Sequence, residues 1–253
     1  MTRSGRLYAG TSGFSYPAWA PAFYPAGLRR AQRLAHYAGR LGACELNSTY
    51  YRRPSPAAVR RWIDGVPAGF RFVVKGQRSA AYRAITDDVE AAVGWLTEPL
   101  PAFGDRLGMV LVRVSANITR DDERLAALLA AWPAGLPLCL ELQHPSWAVD
   151  EVHALLRGAG AALCATDLDD APEPDLRVTG PSVYLRLRRS AYDGPAIERW
   201  AARLAPFLDA GHDVYAFFRH DDRGAAALRA EALQAALSHV AAPAAGPDVG
   251  GTS

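Results

Sequence analysis

Eight short apolar runs alternate with helical patterns along this chain, and that alternation constrains the fold more than anything else in it. The runs are Arg6–Thr11, Ala43–Asn47, Phe70–Lys75, Met109–Val114, Leu138–Leu142, Ala161–Asp167, Ser182–Arg188 and Asp213–Phe218. The intervening "RRAQRLAHYAGRLG", "DDERLAALLAAW" and "AIERWAARLAPFLDAG" repeat apolar residues at helical spacing. Repeated strand–helix units require a parallel sheet, because each crossover returns the chain to the end where the last strand began. Eight of them in 253 residues fit a closed (β/α)8 barrel, a single α/β TIM-type barrel. The rival is an open doubly wound sheet. Its usual mark is Gly-x-Gly-x-x-Gly after the first strand, and "GTSGFSY" has another glycine spacing.

Local signals agree. Ser55 precedes a proline in "SPAAVRRWIDG", a good helix start. Thr119 is a candidate cap before the acidic turn of "TRDDERL", and Gly158 or Gly160 and Gly211 are candidate stops. No Gly/Pro/Ser-rich linker divides the body. Residues 1–240 therefore read as one barrel domain, and the Ala/Gly/Pro-rich stretch 241–253 reads as a flexible tail.

Composition narrows the partners. A net charge of +2 gives no electrostatic footprint for a dedicated nucleic-acid protein. No apolar run is long enough to span a membrane. Cys44, Cys139 and Cys164 each lie in or beside an apolar run without a CxxC pair, which predicts buried free thiols in a reducing cytoplasm.

The strand ends carry the chemistry. In a barrel, alternate residues point inward, and the last of them reach the face where active sites form. Outward positions must meet apolar helices, so charged residues are assigned inward by elimination. This phase selects Thr11, Glu45, Asn47, Lys75, Arg113, Glu141, Asp167, Arg186, Arg188 and Arg219, with Tyr51 and Arg52 on the rim and His220, after the last strand, as a further candidate binding residue. Cations outnumber carboxylates in this set, which points to an anionic group such as phosphate or carboxylate in a small ligand. Glu45, Glu141, Asp167, Lys75 and His144 are the candidate acid–base residues. The bland readings are that Glu45 only pairs with Arg52 or Lys75, that His144 caps a helix, and that Trp147 packs rather than stacks on a ligand. His220 adjoins Asp221 and Asp222, but consecutive residues cannot converge on one ion, so no metal is expected. No cofactor motif is present.

Three functions fit these residues. The first is an enzyme without an organic cofactor, performing hydrolysis, elimination or isomerisation on a small anionic or phosphate-bearing substrate. The second is a nucleic-acid binder using Arg52, Arg53, Arg188, Arg189 and rim aromatics. The third is a non-catalytic scaffold with a decayed site.

"GTSGFSYPAWAPAFYP", "ELNSTYYRRPS", "FRFVVKGQR" and "ELQHPSW", in this order, resemble the YecE-like family, a domain of unknown function. The resemblance covers nearly the whole chain and implies a (β/α)8 barrel with no settled activity. It adds Ser12, Tyr16 and Trp19 to the binding set and keeps Thr11, Glu45, Asn47, Tyr51, Lys75, Glu141, His144, Trp147, Asp167 and Arg186. The chain departs from the family pattern at the mouth. Arg113 stands for a glutamine, Gln143 for an arginine, and Arg219 and His220 for two asparagines. "RLRR" replaces the usual end of the seventh strand, and the histidine expected after "VK" is missing.

Overall fold

Strands β1 (Leu7–Ser12), β2 (Ala43–Leu46), β3 (Arg71–Lys75), β4 (Leu107–Val114), β5 (Leu138–Leu142), β6 (Ala162–Asp167), β7 (Ser182–Leu187) and β8 (Asp213–Phe218) pair in parallel, in sequence order. The last pairs with the first and closes the barrel. This arrangement comes from a computed structural model that describes residues 4–221 and 223–240. The expected tail 241–253 and Asp222 lie outside the described residues.

Helices α1 (Arg33–Ala38), α2 (Ser48–Tyr51), α3 (Pro56–Asp64), α4 (Arg78–Thr86), α5 (Val89–Thr97), α6 (Asp122–Ala131), α7 (Asp150–Ala159) and α8 (Gly194–Asp209) occupy the crossovers except that from β6 to β7, which has no helix, and α9 (Ala225–Val240) follows β8. The caps follow local chemistry. Ser55 accepts the Ala58 N–H at the start of α3, as expected. Asp121, not Thr119, caps α6, accepting from Arg124 N–H; its carboxylate also suits the helix dipole. Gly160 ends α7 in the left-handed conformation.

Two cores result. Ala9, Cys44, Phe72, Val110, Leu140, Leu185 and their neighbours face the helices in the larger one. Tyr8, Val73, Met109, Leu111, Cys139, Cys164, Tyr184, Tyr215 and Phe217 pack together inside the barrel. All three cysteines are free and buried. The interior core plugs the lower barrel, so polar strand ends gather above it at the C-terminal mouth.

The two cores also fix the inward phase. Glu45, Lys75, Arg113, Glu141, Arg186, Arg188 and Arg219 share the phase of the interior core, as expected. Strands β1 and β6 run in the opposite phase from that expected. Thr11 faces outward, where its N–H donates to the Tyr37 hydroxyl at 2.8 Å and its own hydroxyl lies 2.9 Å from the same atom. Tyr37 in turn donates to Ala43 O at 2.9 Å, so one phenol sits between β1 and β2. Gly10 leaves the room, since a Cβ there would lie 2.8 Å from that hydroxyl. Asp167 likewise faces outward. It accepts from Arg189 Nε at 2.6 Å and from the Tyr192 hydroxyl at 2.8 Å.

Candidate active site at the barrel mouth

Arg186, from the end of β7, is the hub of the mouth. Its Nη2 reaches Glu45 Oε1 on β2 at 2.7 Å, and its Nη1 reaches both oxygens of Glu141 on β5, at 2.8 and 2.9 Å. All three side chains are almost fully out of water. Ser12 donates to Glu45 Oε1 at 2.9 Å and Tyr184 to Glu45 Oε2 at 3.0 Å, while Thr166 donates to Glu141 at 3.3 Å. Burial alone would raise the Glu45 carboxyl. The charges of Arg186, Lys75 and Arg188 and the Ser12 hydrogen bond outweigh it and hold the group at about 2. Glu45 therefore stays a carboxylate, and its oxygens are occupied.

Three further cations stand over this floor. Arg188 donates to Ser12 Oγ at 3.3 Å, and burial together with neighbouring Arg186 pushes its pKa down. Arg113 Nε lies 3.5 Å from Glu141 Oε2, and Arg113 Nη2 donates to Gln143 Oε1 at 2.9 Å. The third cation is Lys75. It is 7% exposed and makes no salt bridge among the described residues; its ammonium lies 4.3 Å from the centroid of the Tyr50 ring. Burial lowers its pKa, only partly offset by Glu45 and Glu141 and reinforced by Arg186 and Arg188, leaving it at about 8. Two carboxylates thus face four cations, and one of those cations can give up its proton near neutral pH.

The sequence holds a signal for this residue that phase reasoning passed over. Lys75 is the only lysine in the chain; every other residue among the 28 Lys plus Arg is arginine. Arginine serves wherever a fixed charge is enough, because it does not deprotonate in proteins. Lysine appears once, where a proton can be lost. Tyr184 and Thr166 are not among the candidates that the sequence singles out, unlike Lys75. Both belong to the inward phase, and Tyr184 looked like ordinary core while Thr166 was hidden by the mistaken phase of β6.

The rim is aromatic and basic. Asn47 Nδ2 donates to Ser12 O at 3.0 Å, and the Tyr16 hydroxyl donates to the same oxygen at 2.8 Å. Gly13, at φ 87°, turns the chain so that Tyr16 folds back; a Cβ there would meet the Tyr16 hydroxyl at 2.5 Å. His220 stacks on Tyr16 at 4.8 Å and 2°. Arg219 and His220 are exposed, as are Arg52 and Tyr51, the latter at 78%.

Other expected residues sit elsewhere or do something plainer. His144 caps a short helical turn, its Nδ1 accepting Ser146 N–H at 3.1 Å and lying 2.8 Å from Ser146 Oγ. Trp147 is buried and donates to Ile118 O, and Trp19 is buried and donates to Asp221 O, so neither ring is open for stacking on a ligand. Asp167 and Thr11 face away from the cup. Among the described residues no group of three or more His, Cys, Asp or Glu side chains is arranged to hold a metal, and no helix is long and apolar enough to cross a membrane.

Comparison with known proteins matches this chain to a family. The profile described as "Protein of unknown function DUF72" matches residues 8–249. The UPF0759 protein YecE of Escherichia coli strain K12 is 24% identical over 155 residues, covering 60% of this chain and 54% of that protein. The match thus spans about half the length of that curated relative. A crystal structure of a DUF72 family protein from Thermotoga maritima superposes with a TM-score of 0.76 at 25% identity, covering 92% of this chain and 99% of the other. One from Enterococcus faecalis gives 0.75 at 21% identity, covering 92% and 95%, and shows the likeness of fold.

Proposed function

We propose, for a chain that belongs to the DUF72 family of proteins of unknown function, that it is an enzyme acting on a small anionic substrate in the barrel mouth, with Lys75 as the proton-transferring group. The single observation behind this reading is the state of Lys75. The only lysine of the chain is nearly buried at the mouth, has an aromatic ring in place of a counter-ion, and has a pKa of about 8. A general base works best when its pKa lies near the operating pH.

The remaining residues take supporting roles. Glu45 and Glu141 hold Arg186 rather than reacting themselves, since their oxygens already accept hydrogen bonds. Together the three fix the shape and field of the cup. Arg188 and Arg113 supply guanidinium donors for a carboxylate or phosphate of the substrate. Proton removal next to an anionic group, followed by isomerisation or elimination, is the chemistry that this set serves best.

The test is a turnover screen against sugar acids, hydroxy acids and organic phosphates, preceded by thermal-shift selection of ligands. Lys75→Met and Lys75→Arg are then compared on any substrate found. Loss of turnover in both, with Lys75→Arg still binding the ligand, is expected, because arginine keeps the charge and cannot give up the proton. Turnover retained in Lys75→Arg would defeat the assignment.

A further inference from the structure

Beside the mouth lies a concavity that the reaction proposed above does not use. It is a groove of about 1270 Å³ between the loop after β1 and the segment from α2 into α3. Both are strand-to-helix connections, so the groove opens on the same face as the cup. Tyr16 and Asn47 line it, and both hydrogen-bond the carbonyl of Ser12, whose hydroxyl touches Glu45. The groove and the cup therefore share a wall.

Its chemistry is one-signed. Arg30, Arg52, Arg53 and Arg61 line it, and no carboxylate does among the described residues. Arg53 is paired with Glu98 and lies over Trp95. Arg30, Arg52 and Arg61 are exposed and make no ion pair among the described residues. Ser55 and the start of α3 lie along the same wall, which adds the positive end of a nine-residue helix. Elsewhere arginines are commonly neutralised, as Arg40 is by Glu231, Arg120 by Asp122 and Arg203 by Glu173. Three exposed arginines lining one groove offer guanidinium forks that match phosphate oxygens in charge and in geometry. The groove is also larger than a single phosphate needs, since small-molecule sites run from about 300 to 1,000 Å³. Phe14 and Trp62 give it apolar surface between the arginines.

We infer that this groove binds the phosphate-bearing part of a nucleotide-sized ligand whose reacting end enters the cup beside Lys75. The inference rests on the mouth being the reacting end, and it names the substrate class. The phosphate belongs to a free nucleotide or to the 5′ end of a nucleic-acid strand, and the two sources share the same groove chemistry.

Isothermal titration of the full-length protein with inorganic pyrophosphate and with ADP, at low and moderate salt, tests it. Arg52→Ala/Arg61→Ala should weaken both ligands by about tenfold or more, with Arg30→Ala as an independent second variant; all three side chains are exposed, so folding is checked simply by thermal unfolding. Lys75→Met should leave pyrophosphate binding within about threefold while abolishing turnover. A 5′-phosphorylated hexathymidylate forms the second arm: binding tighter than ADP, with a steeper salt dependence, identifies a strand end as the source, and equal or weaker binding identifies the free nucleotide. Pyrophosphate that binds the double variant as well as the wild type overturns the groove. If Lys75→Met abolishes that binding instead, the anion sits in the cup, and the groove falls while the reading of the mouth stands.

Discussion

The ammonium of Lys75 lies 4.3 Å from the centre of the Tyr50 ring and makes no salt bridge among the described residues, although Glu45 and Glu141 share the same cup. Both carboxylates turn to Arg186 instead. The guanidinium fork satisfies two acids at once, which a single ammonium cannot do with the same geometry. Arg186 thereby leaves Lys75 with a ring for company and a proton it can lose.

An unpaired, nearly buried amine should cost stability, and the sign can be stated. Free lysine titrates at 10.5 and Lys75 at about 8, so the unfolded chain binds the proton more tightly than the fold does. Stability therefore rises as pH climbs from about 8 towards 10.5, and the cost of the buried charge is fully present below pH 8. Lys75→Met should be more stable than the wild type at pH 7, by about 1–3 kcal/mol, with the gain fading towards pH 10.5. Urea unfolding across this range checks it. A variant less stable than the wild type at pH 7 would make Lys75 a structural residue.

Arg186 should behave in the opposite way. Its removal leaves two buried carboxylates without a cation between them, and Arg186→Met should lose about 3–5 kcal/mol at pH 7. Glu45 sits at about 2 in the fold against 4.5 when free, so its contribution is complete above pH 4.5 and is lost as pH falls from there towards 2. In the variant, protonating one carboxyl relieves repulsion instead. The gap between the two proteins should then narrow on acidification, as followed by urea midpoints between pH 7 and pH 4. A constant gap would mean that Arg186 acts through packing alone.

Arg113 and Gln143 meet at the mouth, where Arg113 Nη2 donates to Gln143 Oε1 at 2.9 Å. The pair bridges the ends of β4 and β5 and keeps a guanidinium beside Glu141. Arg113→Gln should weaken an anionic ligand by about tenfold, and adding Gln143→Arg should restore most of that loss. A double-mutant cycle should give a coupling of about 1 kcal/mol or more. Strict additivity would separate the two positions.

The barrel was legible because eight apolar runs and their crossovers leave few other topologies, and all eight strands were located to within two residues at either end. The cup was legible where a charge had no outward partner, as for Glu45, Glu141 and Arg186. Elimination failed at Asp167 because Arg189 and Tyr192, distant by more than twenty positions, fold back to satisfy it outside the barrel. It failed at Thr11 because Tyr37 offers a hydroxyl between two strands, a contact without a sequence pattern. His144 resolved to the plainer of its two readings because Ser146 lies two residues on, within reach of its ring. The groove was invisible for a different reason. Arg30 and Arg61 are unremarkable in an arginine-rich chain until the turn before α1 and helix α3 bring them to one groove.

Proton loss from Lys75 near neutrality decides the chemistry of the mouth, and its being the only lysine makes that directly measurable. Lysine labelled with carbon-13 at Cε gives a single side-chain resonance to follow between pH 6 and pH 11 in the full-length protein. A midpoint near 8 is predicted. A midpoint near the free-lysine value of 10.5 would show an ordinary ammonium with an undetected counter-charge, and the proposed chemistry of the mouth would be contradicted.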